Sequence, residues 1–294
     1  MLNNLRTAIA ALSLLGTATA AHANFLPPNN LHLQDNKRAA TNVSEAQFNA
    51  SIDEAIAFYG PFLKQNFNAT LKVNRLWSDS TVNASASQSG NTWTVNMYGG
   101  LARRPETTQD GFALVLCHEI GHHLGGYPFS SNWAADEGSS DYFATLSCAR
   151  DLWKGQKDKN ALSRSLITAY PKSLCDAQYS DSDDQNLCYR TLLGGKSLGG
   201  LLAALGGTKA NYETPDKKVV SSTVHTHPAG QCRLDTYIAG ALCAQEFDAS
   251  VIPGKDLGSK RNSKDAEAAS GRFTCLRTEF TVGPRPLCWF KPLI

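Results

Sequence analysis

The residues best suited to chemistry lie between Cys117 and His123, a stretch that reads C-H-E-I-G-H-H. In a helix, His118 and His122 are one turn apart, so each can offer one ring nitrogen to the same metal ion. Glu119 then points about 100° away from His118, where it can take a proton from a water on that ion. Zinc suits this chemistry because it lowers the pKa of a bound water to about 7.

The same string also has a plainer interpretation. In a chain of this composition an H-E-x-x-H string arises by chance about once in a hundred sequences, so alone it is only suggestive. The preceding run carries Phe112, Val115 and Leu116, a pattern that predicts a mostly buried helix running into the motif. Two histidines and a glutamate in such a helix need polar partners. Zinc provides them, and the alternative is a core histidine pair satisfied by hydrogen bonds.

The third metal ligand has to come from another part of the chain, because a catalytic zinc site has three protein ligands and one open position. The next predicted helix, Trp133–Cys148, offers Asp136, Glu137 and Asp141. Glu137 and Asp141 lie one turn apart on one face. We assign Glu137 to the metal and Asp141 to the support of a ligating imidazole. The alternative for either acid is an exposed helix position, and Asp136 is not assigned to the metal.

Three motifs in this order resemble the minigluzincin-type zinc endopeptidases, which include the membrane heat-shock protease and the prenyl-protein (CAAX) endopeptidase. The resemblance covers about residues 44–243. The motifs are H-E-x-x-H, E-x-x-x-D and H-P-x-x-x-x-R, present here as His118, Glu119 and His122, as Glu137 and Asp141, and as His227, Pro228 and Arg233.

The resemblance implies a role for each matching residue. It makes Glu137 the third zinc ligand and Asp141 the partner of a metal histidine. It places His227 at the active site, where it assists the oxyanion or gates the metal, with Arg233 as its support. His225 and His123 match no motif residue, and we expect them to be structural.

The resemblance also implies an α+β, zincin-like fold with a small N-terminal sheet and two motif-bearing helices. The sequence itself predicts strands at 71–77, 81–87 and 92–98. The last strand alternates Trp93, Val95 and Met97 with polar residues, the pattern of a half-buried strand. As an edge strand beside the metal it would pair with an extended substrate; the alternative is an ordinary strand within the sheet.

Composition limits the classes of partner. The 294 residues are 42% hydrophobic and 18% charged, enough for a sizeable core. A net charge of +2 and the lack of a Lys/Arg-rich run argue against nucleic acid. Composition leaves the charge of the substrate open. The zinc-endopeptidase interpretation implies a protein or peptide substrate and one Zn²⁺ per chain, and the sequence leaves the oligomeric state open.

The N-terminus predicts export. Residues 1–23 combine a basic start, an apolar run and a small-x-small end, which is typical of a signal peptide. No later run is apolar enough to span a membrane, so a periplasmic or secreted protein is expected. An extended lead-in at 24–43, a protease domain at 44–250 and a disulfide-containing appendage at 251–294 would follow.

The eight cysteines fit an exported chain with four disulfides. Spacing favours two local pairs, Cys175 with Cys188 and Cys275 with Cys288. Cys232 with Cys243 is disfavoured, because one helix between them would hold their Cα atoms roughly 16 Å apart, beyond the roughly 7 Å limit.

These observations predict an exported zinc endopeptidase with Glu119 as general base. The alternative from another class is a zinc-containing envelope chaperone or assembly factor whose proteolysis is latent or lost. A third interpretation is a structural zinc site, which would have a fourth protein ligand closing the metal.

Overall fold

The computed structural model describes residues 22–34 and 42–294, so the predicted signal segment lies outside the described residues except for its last two. Helix α1, Glu45–Phe67, begins with a capping box: Ser44 Oγ accepts from Gln47 N–H, and the Gln47 side chain accepts from Ser44 N–H. The helix continues through Pro61, and the buried residues Tyr59 and Leu63 on either side of the proline pack it against the core.

The sheet of the described residues has four strands in the order β1-β3-β4-β2. The strands in chain order are β1 His22–Asn24, β2 Thr70–Leu76, β3 Ala84–Ser89 and β4 Thr92–Tyr98. A tight turn with Gly90 at φ 55° joins β3 and β4 into an antiparallel hairpin. β1 adds antiparallel to the outer edge of β3, and β2 runs parallel to β4. The sequence therefore located three of these strands, with β3 starting later than predicted.

The proposed substrate strand requires a correction. Trp93, Val95 and Met97 do alternate inward, with exposures of 4%, 0% and 0%. β4, however, is hydrogen-bonded to β3 on one side and to β2 on the other. Its backbone has no free edge for a substrate, so the expected edge strand is wrong. Alternation reports which face of a strand is buried and carries no information about its neighbours in the sheet.

The helices of the described residues enclose one long buried helix, α3. They are α2 Gly99–Ala102, α3 Gln109–Leu124, α4 Glu137–Phe143, α5 Ala149–Trp153, α6 Lys157–Leu162, α7 Ala169–Gln178, α8 Ser182–Leu205, α9 Gly230–Leu242 and α10 Lys264–Ser270, with a π-helical turn at Ala144–Cys148 and 3₁₀ turns at Ser163–Ser165 and Lys255–Lys260. α3 packs against the sheet, α1, α4 and α8. Every residue of α3 from Gly111 onward is buried, as its apolar sequence predicts.

The other helices pack closely around α3. Gly199 lets α8 lie against α9, because a Cβ at this position would come within 2.6 Å of Leu234 Cβ. The acid-rich stretch before α8, residues 176–184, largely belongs to the flanking helices α7 and α8. Asp181 caps α8 by accepting from the N–H groups of Asp183 and Asp184. No helix in the described ranges is long and apolar enough to cross a bilayer.

All eight cysteines form disulfides, and two of the four disulfides connect α9 with residues 251–294, the C-terminal segment. The pairs are Cys117–Cys148, Cys175–Cys188, Cys232–Cys288 and Cys243–Cys275. The predicted Cys175–Cys188 pair is confirmed, and the predicted Cys275–Cys288 pair is wrong. α9 holds Cys232 and Cys243 at its two ends, so each pairs with a different part of the C-terminal segment.

Candidate metal centre

The structure brings together the three residues predicted to bind a metal. His118 and His122 lie one turn apart on α3, and Glu137 is the first residue of α4. Their ligand atoms all lie within 4.8 Å of one another. Glu137 Oε2 is 3.2 Å from His118 Nε2, and Glu137 Oε1 is 3.6 Å from His122 Nε2. These three residues could hold one metal ion.

The polar atoms at this point are buried and lack hydrogen-bond partners among the described residues. They are His118 Nε2, His122 Nε2, Glu137 Oε2 and both carboxylate oxygens of Glu119. Buried polar atoms nearly always have partners, so a cluster of orphaned atoms points to a group that they would bind. Two imidazole nitrogens and a carboxylate are a donor set that zinc favours. The residues present therefore fit a zinc ion.

Hydrogen bonds orient both imidazoles toward the centre of this cluster. His118 Nδ1 lies 2.7 Å from Asp141 Oδ1, so its N–H donates to the carboxylate and Nε2 faces Glu137. His122 Nδ1 lies 2.9 Å from the carbonyl oxygen of Ala135, which accepts its N–H. Such contacts fix the tautomer and ring orientation of a metal-binding histidine. The predicted supporting role of Asp141 agrees with this geometry.

Arg233 holds Asp141 in place. Its Nε donates to Asp141 Oδ2 at 2.6 Å and its Nη2 to Asp141 Oδ1 at 2.7 Å, while the Tyr237 hydroxyl donates to Oδ1 as well. Arg233 Nη1 donates to the carbonyl oxygen of Phe25 at 2.7 Å. The guanidinium and the carboxylate are both fully buried. We expected Arg233 to support His227, whereas the hydrogen bonds of its guanidinium support Asp141.

Burial and charge set the protonation of the cluster. Burial disfavours the charged form of His118, but the Asp141 carboxylate outweighs it and raises the pKa of His118 to about 9. Burial raises the pKa of Glu119 to about 8 and lowers the pKa of His122 to about 4. Burial opposes ionisation of Asp141 too, yet the adjacent Arg233 brings its pKa down to about 2. A bound divalent cation would favour loss of the protons on His118 and Glu119.

His227 and His225 lie in the loop before α9. His227 Nε2 donates to the carbonyl oxygen of Asn24 at 2.8 Å and lies 3.5 Å from Glu137 Oε1. His227 is therefore beside the cluster, as the resemblance implied. His225 Nδ1 lies 2.9 Å from Oδ2 of Asp136, whose side chain is fully buried. Sequence reasoning missed this pair, although the acid directly before Glu137 and the first histidine of H-T-H, His225, were signals for it.

The remaining histidine of the motif, His123, lies in an aromatic stack. Its ring is 5.1 Å from Trp93 on one side and 5.1 Å from Trp133 on the other. Gln88 Nε2 is 3.0 Å from its Nδ1. These contacts are in keeping with the structural role expected for His123, and they pack the C-terminal end of α3 against β4.

The C-terminal segment contacts both α4 and the loop that carries His225 and His227. Trp289 packs against Gly138, the neighbour of Glu137, so closely that a Cβ at position 138 would lie 2.3 Å from the indole ring. The carbonyl oxygen of Trp289 accepts from Val224 N–H at 2.8 Å, in the loop that carries both histidines. Residues 287–291 therefore hold α4 and the histidine loop together.

Comparison of the chain with protein-family models, with curated proteins and with solved structures finds no match. The likeness to the minigluzincin-type endopeptidases therefore depends on the three motifs.

Proposed function

We propose that this protein is an exported, zinc-dependent endopeptidase of the gluzincin type. One observation carries the proposal. His118, His122 and Glu137 converge, and within the described part of the chain His118 Nε2, His122 Nε2, Glu137 Oε2 and both carboxylate oxygens of the adjacent Glu119 have no hydrogen-bond partner. The four disulfides indicate an oxidising compartment, in keeping with a periplasmic or secreted enzyme.

Each residue then has a chemical task. His118, His122 and Glu137 would hold the ion, with Asp141 fixing the His118 ring. When bound, zinc supplies Lewis acidity to a peptide carbonyl and acidity to a water molecule. Glu119 accepts a proton from the attacking water and returns it to the leaving amine.

Burial of Glu119 supports its assignment as general base. A carboxylate without hydrogen bonds in an apolar setting has a raised pKa, and Glu119 reaches about 8 through burial. A base tuned upward in this way can both take and return a proton near neutral pH. His227 lies beside Glu137 and can donate from Nε2 to an oxygen that becomes negative during the reaction.

The substitution Glu119→Gln tests the mechanism. It keeps the shape of the side chain and removes the base, so one zinc per chain should remain while hydrolysis of unfolded casein falls by at least a hundredfold. Glu106→Gln is the control, because Glu106 pairs with Arg104 in an ion pair that involves none of the proposed zinc ligands. Full activity of Glu119→Gln would refute the mechanism.

The casein assay also separates the proposal from its alternative. Wild-type protein with one zinc per chain should hydrolyse casein, and EDTA should stop it. A zinc-loaded protein that suppresses casein aggregation without cleaving the chain would overturn the proposal in favour of an envelope chaperone or assembly factor.

A further inference from the structure

A cavity of about 500 Å³ lies apart from the proposed metal centre. Its floor is formed by buried residues of three elements, the π-helical turn, α8 and α9: Thr145, Leu146, Ser147, Leu187, Thr191 and Ala241. No residue of the proposed centre is among the described residues that line it. Sites for small ligands are usually concave and have volumes of about 300–1,000 Å³. The cavity is therefore large enough to hold a ligand of its own.

The floor offers mainly apolar contacts. Ser147 Oγ donates to Asp151 Oδ2 at 3.1 Å and Thr191 Oγ1 donates to Leu187 O at 2.8 Å, so both hydroxyls already have partners within the protein. Phe247 adds an aromatic ring to the lining. An apolar side chain of a ligand would therefore find a surface from which little water has to be displaced at a cost.

Charged side chains of both signs surround this floor. They are Arg150, Asp151, Lys154, Asp184 and Glu246. Within residues 22–34 and 42–294, none of the five forms an ion pair. Charges that do not neutralise one another remain able to attract the charges of a ligand.

Two of these charges are fixed in position by the fold. Arg150 Nη2 donates to the Tyr179 hydroxyl at 2.9 Å and to the carbonyl oxygen of Cys243. Asp151 Oδ2 accepts from the Tyr59 hydroxyl at 2.7 Å. Groups held in place in this way need little reorganisation when a ligand binds. A fixed cation and a fixed anion on one cavity are complementary to a ligand that carries one charge of each sign.

We propose that this cavity binds a short peptide of about two or three residues that has free termini and an apolar side chain. Its α-carboxylate would face Arg150 and Lys154, its α-ammonium the three acids, and its side chain the floor. An uncharged ligand would leave both sets of charges without a partner, and a ligand of one sign would be repelled by its like charges. The volume favours a peptide over a single amino acid, because a ligand that fills the cavity buries more apolar area.

The proposed site is independent of the proposed activity. It contains none of the metal ligands, and binding needs no hydrolysis. Short peptides are also what the proposed peptidase would release, but the chemistry of the cavity alone selects them.

Calorimetric titration of the zinc-loaded Glu119→Gln protein with the tripeptide Ala-Leu-Phe tests the inference. This variant should leave the peptide uncut during the titration. The same tripeptide with an acetylated N-terminus and an amidated C-terminus is the matched control. We expect one free peptide to bind per chain, and the capped peptide to bind at least tenfold more weakly, because it carries neither charge.

The substitution Ala244→Trp in the same background tests where the peptide binds. Ala244 is exposed and lines the cavity, so an indole there should fill part of the cavity without disturbing the core. Ala161→Trp is the control, since Ala161 is exposed on α6 and is not part of the lining. Ala244→Trp should weaken binding of the free peptide at least tenfold, whereas Ala161→Trp should leave it unchanged.

Three results would overturn the inference: no binding at millimolar free peptide, equal affinity for the free and capped peptides, or equal affinity in Ala244→Trp and Ala161→Trp. The last result would place the peptide elsewhere on the protein, for example at the metal centre. The comparison of the two peptides leaves the cavity unaltered, so it decides the question even if Ala244→Trp does not fold. Failure of the proposed peptidase function would appear as uncut casein with the wild type and would leave these titrations unaffected.

Discussion

The substitution Asp141→Asn tests how much the buried support contributes to metal binding. Asp141 accepts from His118, from two nitrogens of Arg233 and from the Tyr237 hydroxyl. An amide keeps one acceptor oxygen but turns its N–H donors toward the guanidinium. Among the described residues, Glu137 at 3.6 Å is then the acid that remains beside Arg233. Breaking a buried ion pair costs about 3–5 kcal/mol of folding free energy. Loss of the carboxylate behind a ligating histidine lowers metal affinity about 10–100-fold, or roughly 1.4–2.8 kcal/mol.

The two effects are measured separately, by urea unfolding of the metal-free protein and by zinc titration against a competing chelator. Asp110→Asn is the matched control, because Asp110 also lies on α3 and binds Arg190 through two hydrogen bonds of 2.7 and 3.0 Å. It should lower stability and leave zinc affinity unchanged. Unaltered zinc affinity in Asp141→Asn, or an equal loss in both variants, would refute the reasoning.

Two further predictions concern the support from the C-terminal segment. Serines in place of the Cys232–Cys288 disulfide, which closes a loop of 56 residues, should cost about 4 kcal/mol of stability and weaken zinc binding several-fold, because Trp289 is freed. Serines in place of the Cys175–Cys188 disulfide, whose cysteines are 13 residues apart, should cost about 3 kcal/mol of stability and leave zinc affinity unchanged. Zinc affinity is measured in both variants by chelator competition. Gly138→Ala should clash with the indole and weaken zinc binding, whereas Gly200→Ala in α8, with nothing within 4 Å, should add about 0.5–1 kcal/mol of stability in urea unfolding. Equal zinc affinities within either matched pair would contradict these expectations.

The residues of the proposed centre could be read from the sequence because their spacing is local. His118 and His122 need only one helix to stand together, and α3 provides it. Glu137 follows α3 after a short connection, and this connection limits where α4 can lie relative to the two histidines. Three of the strands followed from periodicity and turn residues in the same way, whereas the α+β class was implied by the resemblance.

The features that the sequence missed depend on contacts between distant segments. No local sequence feature indicates that β2 pairs parallel with β4, and this pairing makes β4 a central strand. The position of β1 is equally non-local, since its partner β3 lies far along the chain. One of the two predicted cysteine pairs failed for a related reason: nearness in sequence favoured Cys275 with Cys288, but these two cysteines pair with Cys243 and Cys232 at the two ends of α9.

These distant contacts connect the proposed centre to both ends of the described chain. Its ligands come from α3 and α4, whereas their supports come from both ends: the Phe25 carbonyl binds Arg233, and Trp289 packs against Gly138. The unpartnered atoms of the cluster would gain partners if a metal bound, so the cluster without metal is costly on its own. The surrounding fold must offset that cost before metal is present, and the two disulfides between α9 and the C-terminal segment restrict the unfolded chain enough to contribute to it. The C-terminal segment, which the sequence suggested was an appendage, therefore helps to hold Glu137 in place.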